Sequence, residues 1–318
     1  MKKKKSKNKL SNKLKIAFWA VFVLGCLWVA FAPPSQLTPP PSVTVKVQQA
    51  PKHEEKAPTA TPGGEEQTPA PHNESVTVPV VPEHEEVIAP GYKPKIALVI
   101  DDVGVDIKGS EKAINLPPPV TLSFLPYAVR LREEAKEAAD QSHELILHMP
   151  MEPVGHEDPG PGALLTTLPI DELRQRFKEA LSSFTGFDGV NNHMGSKFTA
   201  WPEGMEMVVD ELQQRHLFFL DSRTSGQSVG LKIAQEKGLP SIGRDVFLDD
   251  DQSPDAIRKQ LEIMERIARH KGYAVAIGHP HATTMEVLAT WVAEAPGRGF
   301  QLVPLKSLIN EKHAAQRQ

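Results

Sequence analysis

Two adjacent aspartates, Asp101 and Asp102, close the apolar run Ile96–Ile100 in KIALVIDDVGVD. Four further apolar runs end on groups that can bind a cation or move a proton. His148 lies in LILHMPMEP, His193 in GVNNHMGS, Asp221 in FFLDSRTS, and His279 with His281 in AIGHPH. Each alone has an ordinary explanation: an aspartate after a strand caps a turn, and a lone histidine is a hydrogen-bonded core residue. His143, His156, His216 and His270 are read that way, at loops and helix ends. The recurrence at five strand ends is better explained by chemistry. Two imidazoles and a carboxylate are a common ligand set for zinc or a similar divalent ion, with open positions for water and substrate. Such an ion lowers the pKa of bound water and polarises a carbonyl. A second carboxylate can accept the water's proton, and an imidazole on the opposite side can protonate a leaving group. The set suffices for metal-assisted hydrolysis of an acyl group, and the same donors would serve a phosphoester or amide.

The elements that must present these residues alternate along the chain. Strand candidates are IALVI from Ile96, VTLSFL from Val120, ELILHM from Glu144, GVNNHM from Gly189, LFFLD from Leu217, SIGRDVFL from Ser241, YAVAIG from Tyr273 and FQLV from Phe300. Helical patterns lie between them. In the clearest, Ser253–Lys271, Ser253 caps, Pro254 suits the first turn, and Ile257, Leu261, Met264 and Ile267 form one stripe. Arg130–Gln141 and Pro202–Arg215 also read as helices. This alternation predicts an α/β domain over 95–309 with a parallel sheet of seven or eight strands. The count suits a closed or distorted β/α barrel better than an open doubly wound sheet, and functional groups in such a barrel gather at the C-terminal strand ends. Side chains alternate along a strand, so Asp101 and Asp102 should face opposite ways unless the chain turns there. A cation would offset their repulsion.

The preceding residues are of another kind. Eight lysines fall in the first fifteen residues, ahead of Ile16–Ala32, seventeen residues without a charge. That order marks an export signal or membrane anchor, with the N-terminus held in the cytoplasm and the remainder sent across. An uncleaved anchor is favoured. Cleavage after Ala30-Phe31-Ala32 would be hindered by Pro33, and lipidation at Cys26 would place atypical apolar residues after the cysteine. Fourteen of 29 prolines then fall in residues 33–94, an extended, disordered spacer. Residues 310–318 read as a polar tail. Cys26 is the only cysteine, so the exported part has no disulfide or thiol chemistry and any metal site uses His, Asp or Glu. The net charge of −4 carries no global signal for nucleic acid.

The ordered motifs IALVIDDVG, LHMPMEP, NNHMGS, FLDSRTS and AIGHPH resemble the divergent polysaccharide deacetylase family, a branch of the NodB-homology carbohydrate esterases. The resemblance implies a NodB-like distorted β/α barrel and metal-dependent removal of acetyl groups from a polysaccharide. It implies that Asp101 is the general base, that Asp102 binds the metal, that His279 is the general acid, and that His148 and His193 complete the metal triad. Asn192, Asp221 and Arg223 are expected at the substrate. The usual second motif has two histidines four residues apart, whereas His148 is followed by Glu152, which is therefore a further ligand candidate. The usual arginine-proline-tyrosine motif is replaced by NNHMGS. The expectation is an exported, zinc-dependent deacetylase of cell-envelope or extracellular polysaccharide. The alternative is a tethered carbohydrate-binding or scaffold module on the same fold with reduced turnover.

Overall fold

The computed structural model describes residues 93–316. The apolar segment 16–32 and the Pro-rich stretch up to residue 92 lie outside the described residues. Nine strands form one sheet: β1 (Lys95–Val103), β2 (Thr121–Phe124), β3 (Glu144–Met151), β4 (Gly189–Met194), β5 (Phe218–Asp221), β6 (Ser241–Gly243), β7 (Val246–Phe247), β8 (Tyr273–Gly278) and β9 (Gln301–Leu302). The order is β6-β5-β4-β3-β2-β1-β8-β7, with β9 added beside the start of β1, and the paired strands run parallel.

The two edges, β6 and β7, are separated in sequence only by Arg244 and Asp245. The sheet must therefore curl until its edges meet, which makes the distorted β/α barrel. The run SIGRDVFL, read as one strand, pairs with β5 through its first half and with β8 through its second. No helix crosses at this seam. FQLV contributes only the two residues of β9.

Eight helices surround the sheet: α1 (Ile107–Ile114), α2 (Leu131–Asp140), α3 (Ile170–Ala180), α4 (Pro202–Gln214), α5 (Gly230–Glu236), α6 (Pro254–Lys271), α7 (Ala282–Glu294) and α8 (Leu305–Gln316). Among the described residues no helix is long and apolar enough to cross a membrane. In α6 the expected signals operate. Ser253 caps by accepting from Ala256 N–H, the four-residue stripe is buried, and Gly272 ends the helix at φ +83°. Helix α8 continues through most of the stretch read as a polar tail. Its Leu305, Leu308 and Ile309 join the residues inside the barrel. The N–H groups of Leu305 and Lys306 donate to Thr121 and Glu144, at the starts of β2 and β3, so this helix closes the N-terminal end.

Strand alternation sorts the core into two layers. Ile96, Leu98 and Ile100 of β1 pack outward against the helices, whereas Ala97 and Val99 face the interior with Ile146, Phe218, Leu220, Ile242, Val275 and Ile277. Each fully buried aliphatic or aromatic side chain contributes about 1.5–3 kcal/mol. The same alternation, continued past the apolar runs, selects which strand-end residues reach the mouth of the barrel.

Candidate active site

Counting on from the inward residues of each strand leads to Asp101 in β1, His148 in β3, Asn191 and His193 in β4, Arg244 after β6, Asp249 after β7 and His279 after β8. Asp102 breaks the count. The pairing of β1 with β2 shifts between Ile100 and Val103, and Asp102 has φ +57°. This bulge turns the second carboxylate toward the same imidazole as the first, so His148 Nε2 lies 3.2 Å from Asp102 Oδ1 and 3.6 Å from Asp101 Oδ2. The expectation that the chain turns at the aspartate pair agrees with this backbone.

Three donor atoms from three strands converge. Asp102 Oδ1 is 2.9 Å from His193 Nδ1 and 3.2 Å from His148 Nε2, and the two ring nitrogens are 3.2 Å apart. A tetrahedral ion with bonds of about 2.0–2.1 Å separates its ligands by about 3.3 Å, so the triangle has the size of one face of such a site. Asp102 Oδ1 is buried and has no hydrogen bond of proper geometry; neither imidazole N–H is aimed at it. The residues fit a divalent ion. Burial pushes the Asp102 carboxyl up, but the two imidazoles outweigh burial and hold it far below the usual carboxylate range. His148 is raised: burial opposes its charge, and Asp101, Asp102 and Asn191 overcome burial. The pocket attracts positive charge, and an arriving cation displaces a proton.

Asn191 orders this set. Its Nδ2 donates to both oxygens of Asp101, at 2.8 and 3.0 Å, and to Ser222 Oγ at 3.1 Å. Its Oδ1 must then accept, from Ser123 Oγ at 2.6 Å and from His148 Nδ1 at 2.9 Å. The proton on Nδ1 leaves Nε2 of neutral His148 as a lone pair facing the site.

On the β8 side, His279 Nδ1 is 2.9 Å from Asp249 Oδ1, and its backbone N–H donates to Asp249 Oδ2 at 2.7 Å. Burial lowers the His279 pKa, but Asp249, with smaller contributions from Asp101 and Asp102, raises it to about 9. Asp249, His279 and His281 also lie close enough to be considered for an ion. They fit one poorly, because Asp249 already accepts from His279 twice and from Thr284 Oγ1 at 2.9 Å. Tyr127, after β2, lies within the field of Asp102, and burial together with that charge raises its phenol.

Residues 98–309 match the family described as divergent polysaccharide deacetylase, two thirds of the chain. The chain belongs to the divergent polysaccharide deacetylase family. An uncharacterized protein of Haemophilus influenzae is 38% identical over 219 residues, which are 69% of this chain and 78% of that one. The uncharacterized Escherichia coli protein YibQ is 36% identical over 217 residues, 68% of each chain. The crystal structure of the uncharacterized protein ATU2773 of Agrobacterium tumefaciens superposes with a TM-score of 0.67 at 32% identity, covering 70% of this chain and 92% of that one. Membership in this deacetylase family agrees with the resemblance carried by the five motifs, and the barrel agrees with the fold it implied.

Within this deacetylase fold the structure brings together Asp101, Asp102, His148 and His193. It does not bring the expected substrate residues with them. Asn192 and Asp221 belong to the outward series of β4 and β5, and each is 1% exposed. Asn192 accepts from Ser222 N–H and donates to Met194 O. Asp221 accepts from the N–H groups of Arg223 and Leu231 and from Ser228 Oγ. Both hold the loop after β5 through these bonds, with their polar groups turned away from the mouth. Arg223 is exposed on that loop, and its charged end does not pair with Asp221. Glu152 stands outside the donor cluster and clamps a loop by accepting from Lys197 Nζ and Thr166 N–H. His143 is locked between the carbonyls of Val120 and Ile114, as expected of a core histidine.

Sequence reasoning missed Asn191, Asp249 and Arg244. Parity would have marked all three, since each lies in step with inward residues of its own strand. Arg244 Nε donates to Ser222 O at 2.6 Å, its guanidinium lies 4.9 Å from the Phe247 ring, and it feels the charge of Asp101. It supplies a cation near Asp101 from the barrel seam.

Proposed function

We propose that the domain is a cation-dependent hydrolase that deacetylates a cell-envelope or extracellular polysaccharide, with Asp102, His148 and His193 as the ligands. The observation that carries this reading is the convergence of Asp102 Oδ1, His148 Nε2 and His193 Nδ1 within 2.9–3.2 Å of one another beside a second carboxylate. Zinc suits two imidazoles and one carboxylate. An ion held there supplies Lewis acidity to the acetyl carbonyl and makes nearby water more acidic.

Asp101 is held by Asn191 Nδ2 on both oxygens and takes the proton of the attacking water. Asp249 occupies Nδ1 of His279 and keeps that ring protonated, so Nε2 is the nitrogen that hands a proton to the departing amine or alcohol. Arg244 balances the charge of Asp101 from the seam.

The test is acetate release from acetylated glycans by the full chain, beside Asp101→Asn. Release that falls at least about a hundredfold in the variant supports the reading. Indistinguishable traces from the two proteins overturn it in favour of the carbohydrate-binding module without turnover.

We propose also that the chain is exported and anchored in the cytoplasmic membrane by residues 16–32, with 33–94 as a spacer. Support comes from the lysine-rich start, the uncharged segment after it, and the density of proline. Protease accessibility of the domain in spheroplasts checks this. A domain that is degraded only after lysis of the cells refutes it.

A further inference from the structure

Where β6 passes directly into β7, the ring of outer helices has no member, and the flanking helices α5 and α6 leave a groove of about 780 Å³. Four cationic side chains line it, Arg223, Lys232, Arg244 and Lys271, against two carboxylates, Asp221 and Asp245. Asp245 offsets Lys271, and both carboxylates act on Arg244, which leaves Arg223 and Lys232 as the groove's exposed cations. Asp221 is buried and accepts from three donors of its own loop. Asp245 is engaged by Lys271 Nζ and Val275 N–H. Lys232 makes only a 3.8 Å contact with exposed Glu236, which at such a surface site is worth little.

The two arginines have no carboxylate within ion-pair distance. Arg244 uses Nε and Nη2 on the carbonyls of Ser222 and Arg223, while Arg223 Nη1 reaches only Arg244 O at 3.4 Å. Two guanidiniums tied to each other's backbone hold like charges side by side. Gly243 permits it, because a Cβ there would lie 2.5 Å from Arg223 Nε. One lining residue, Arg244, is linked to the reaction centre through buried side chains. Arg244 contacts Ser222, whose Oγ accepts from Asn191, which in turn holds Asp101.

We propose that this seam groove binds the negatively charged groups of the glycan, so that the substrate is an acidic polysaccharide carrying carboxylates along its strand. The proposal rests on the deacetylase reading for the glycan nature of the ligand. Planar guanidinium forks suit carboxylates, and Arg223 and Lys232 offer their charges at the surface.

The probe is polygalacturonate, titrated into the metal-free full chain so that its carboxylates cannot reach a bound ion, with neutral galactan as comparison. Polygalacturonate is expected to bind more tightly than galactan, and more weakly as salt rises. The double variant Arg223→Gln/Lys232→Gln should bind it about tenfold more weakly with an unchanged melting temperature, the loss expected for one or two charge-assisted contacts. Equal affinity for the two polymers, or full affinity in the double variant, overturns the proposal. Acetate release is scored separately. Release from neutral glycans without polygalacturonate binding leaves the deacetylase reading standing and removes this one. Binding without any acetate release does the reverse.

Discussion

Asn191 Oδ1 accepts a hydrogen bond from His148 Nδ1 at 2.9 Å, while the amide nitrogen of the same Asn191 holds both oxygens of Asp101. One buried amide thus orients the proposed general-base carboxylate and sets the tautomer of a proposed metal ligand. A side-chain amide suits this position because it donates on one side and accepts on the other.

Replacing Asn191 by Leu should weaken zinc binding about 10–100-fold, the usual effect of removing a partner that orients a ligand. Competition against a chromogenic chelator measures it. Because Asn191 is fully buried, its partners lose their bonds too, and the fold should lose about 1–3 kcal/mol in urea unfolding.

Asp101 and Asp102 should separate when each is changed. Asp102→Ala and His193→Ala are expected to lose stoichiometric zinc, since each removes one of the three proposed ligands. Asp101→Asn should keep zinc and lose acetate release at least about a hundredfold. Metal analysis of the three purified variants, with their activities, decides this. An Asp101→Asn protein that has lost its metal would contradict the division of roles.

In metal-free protein the His279 ring is expected to titrate near pH 9, and Asp249→Asn should bring it down toward its ordinary value of about 6.5. The folded-state value lies above the unfolded one. The stabilisation is therefore complete below about pH 6.5 and fades as pH rises through 9. It amounts to at most about 3 kcal/mol. A bound divalent ion adds positive charge nearby and should lower the midpoint. Imidazole proton shifts in NMR, with and without zinc, report both effects.

Gly104 completes the turn that follows the aspartate pair. Its φ is +100°, and a Cβ there would stand 2.3 Å from that of Ala128. Gly104→Ala combines a left-handed backbone penalty with overpacking, so a loss of about 2–4 kcal/mol is expected. Thermal or urea unfolding tests it, and a stability change under 1 kcal/mol would refute it.

Much of the barrel was legible locally. The apolar runs of β1, β3 and β8, the cap and stripe of α6, and the groups closing the strands are short-range patterns, set by burial and by backbone capping. The seam was not legible, because SIGRDVFL reads as one strand whichever partners it finds. The facing of Asn192 and Asp221, two of the expected substrate residues, was not legible for a different reason. Asn192 and Asp221 stand beside residues that reach the mouth, but one place along a strand reverses the face. Asn191, Arg244 and Asp249 were passed over for the same reason, although their parity was readable from the chain.

The sequence by itself determined the family, the strand-and-helix order and the donors available for a cation, because these depend on residue type and on spacing within one element. Only the tertiary structure decided that Asp102 turns back toward His148, that His193 comes within reach of both, and that Asn191 joins this set to Asp101. Those relations depend on the bulge in β1 and on the curl that brings the ends of β1, β3 and β4 together, which no single segment encodes.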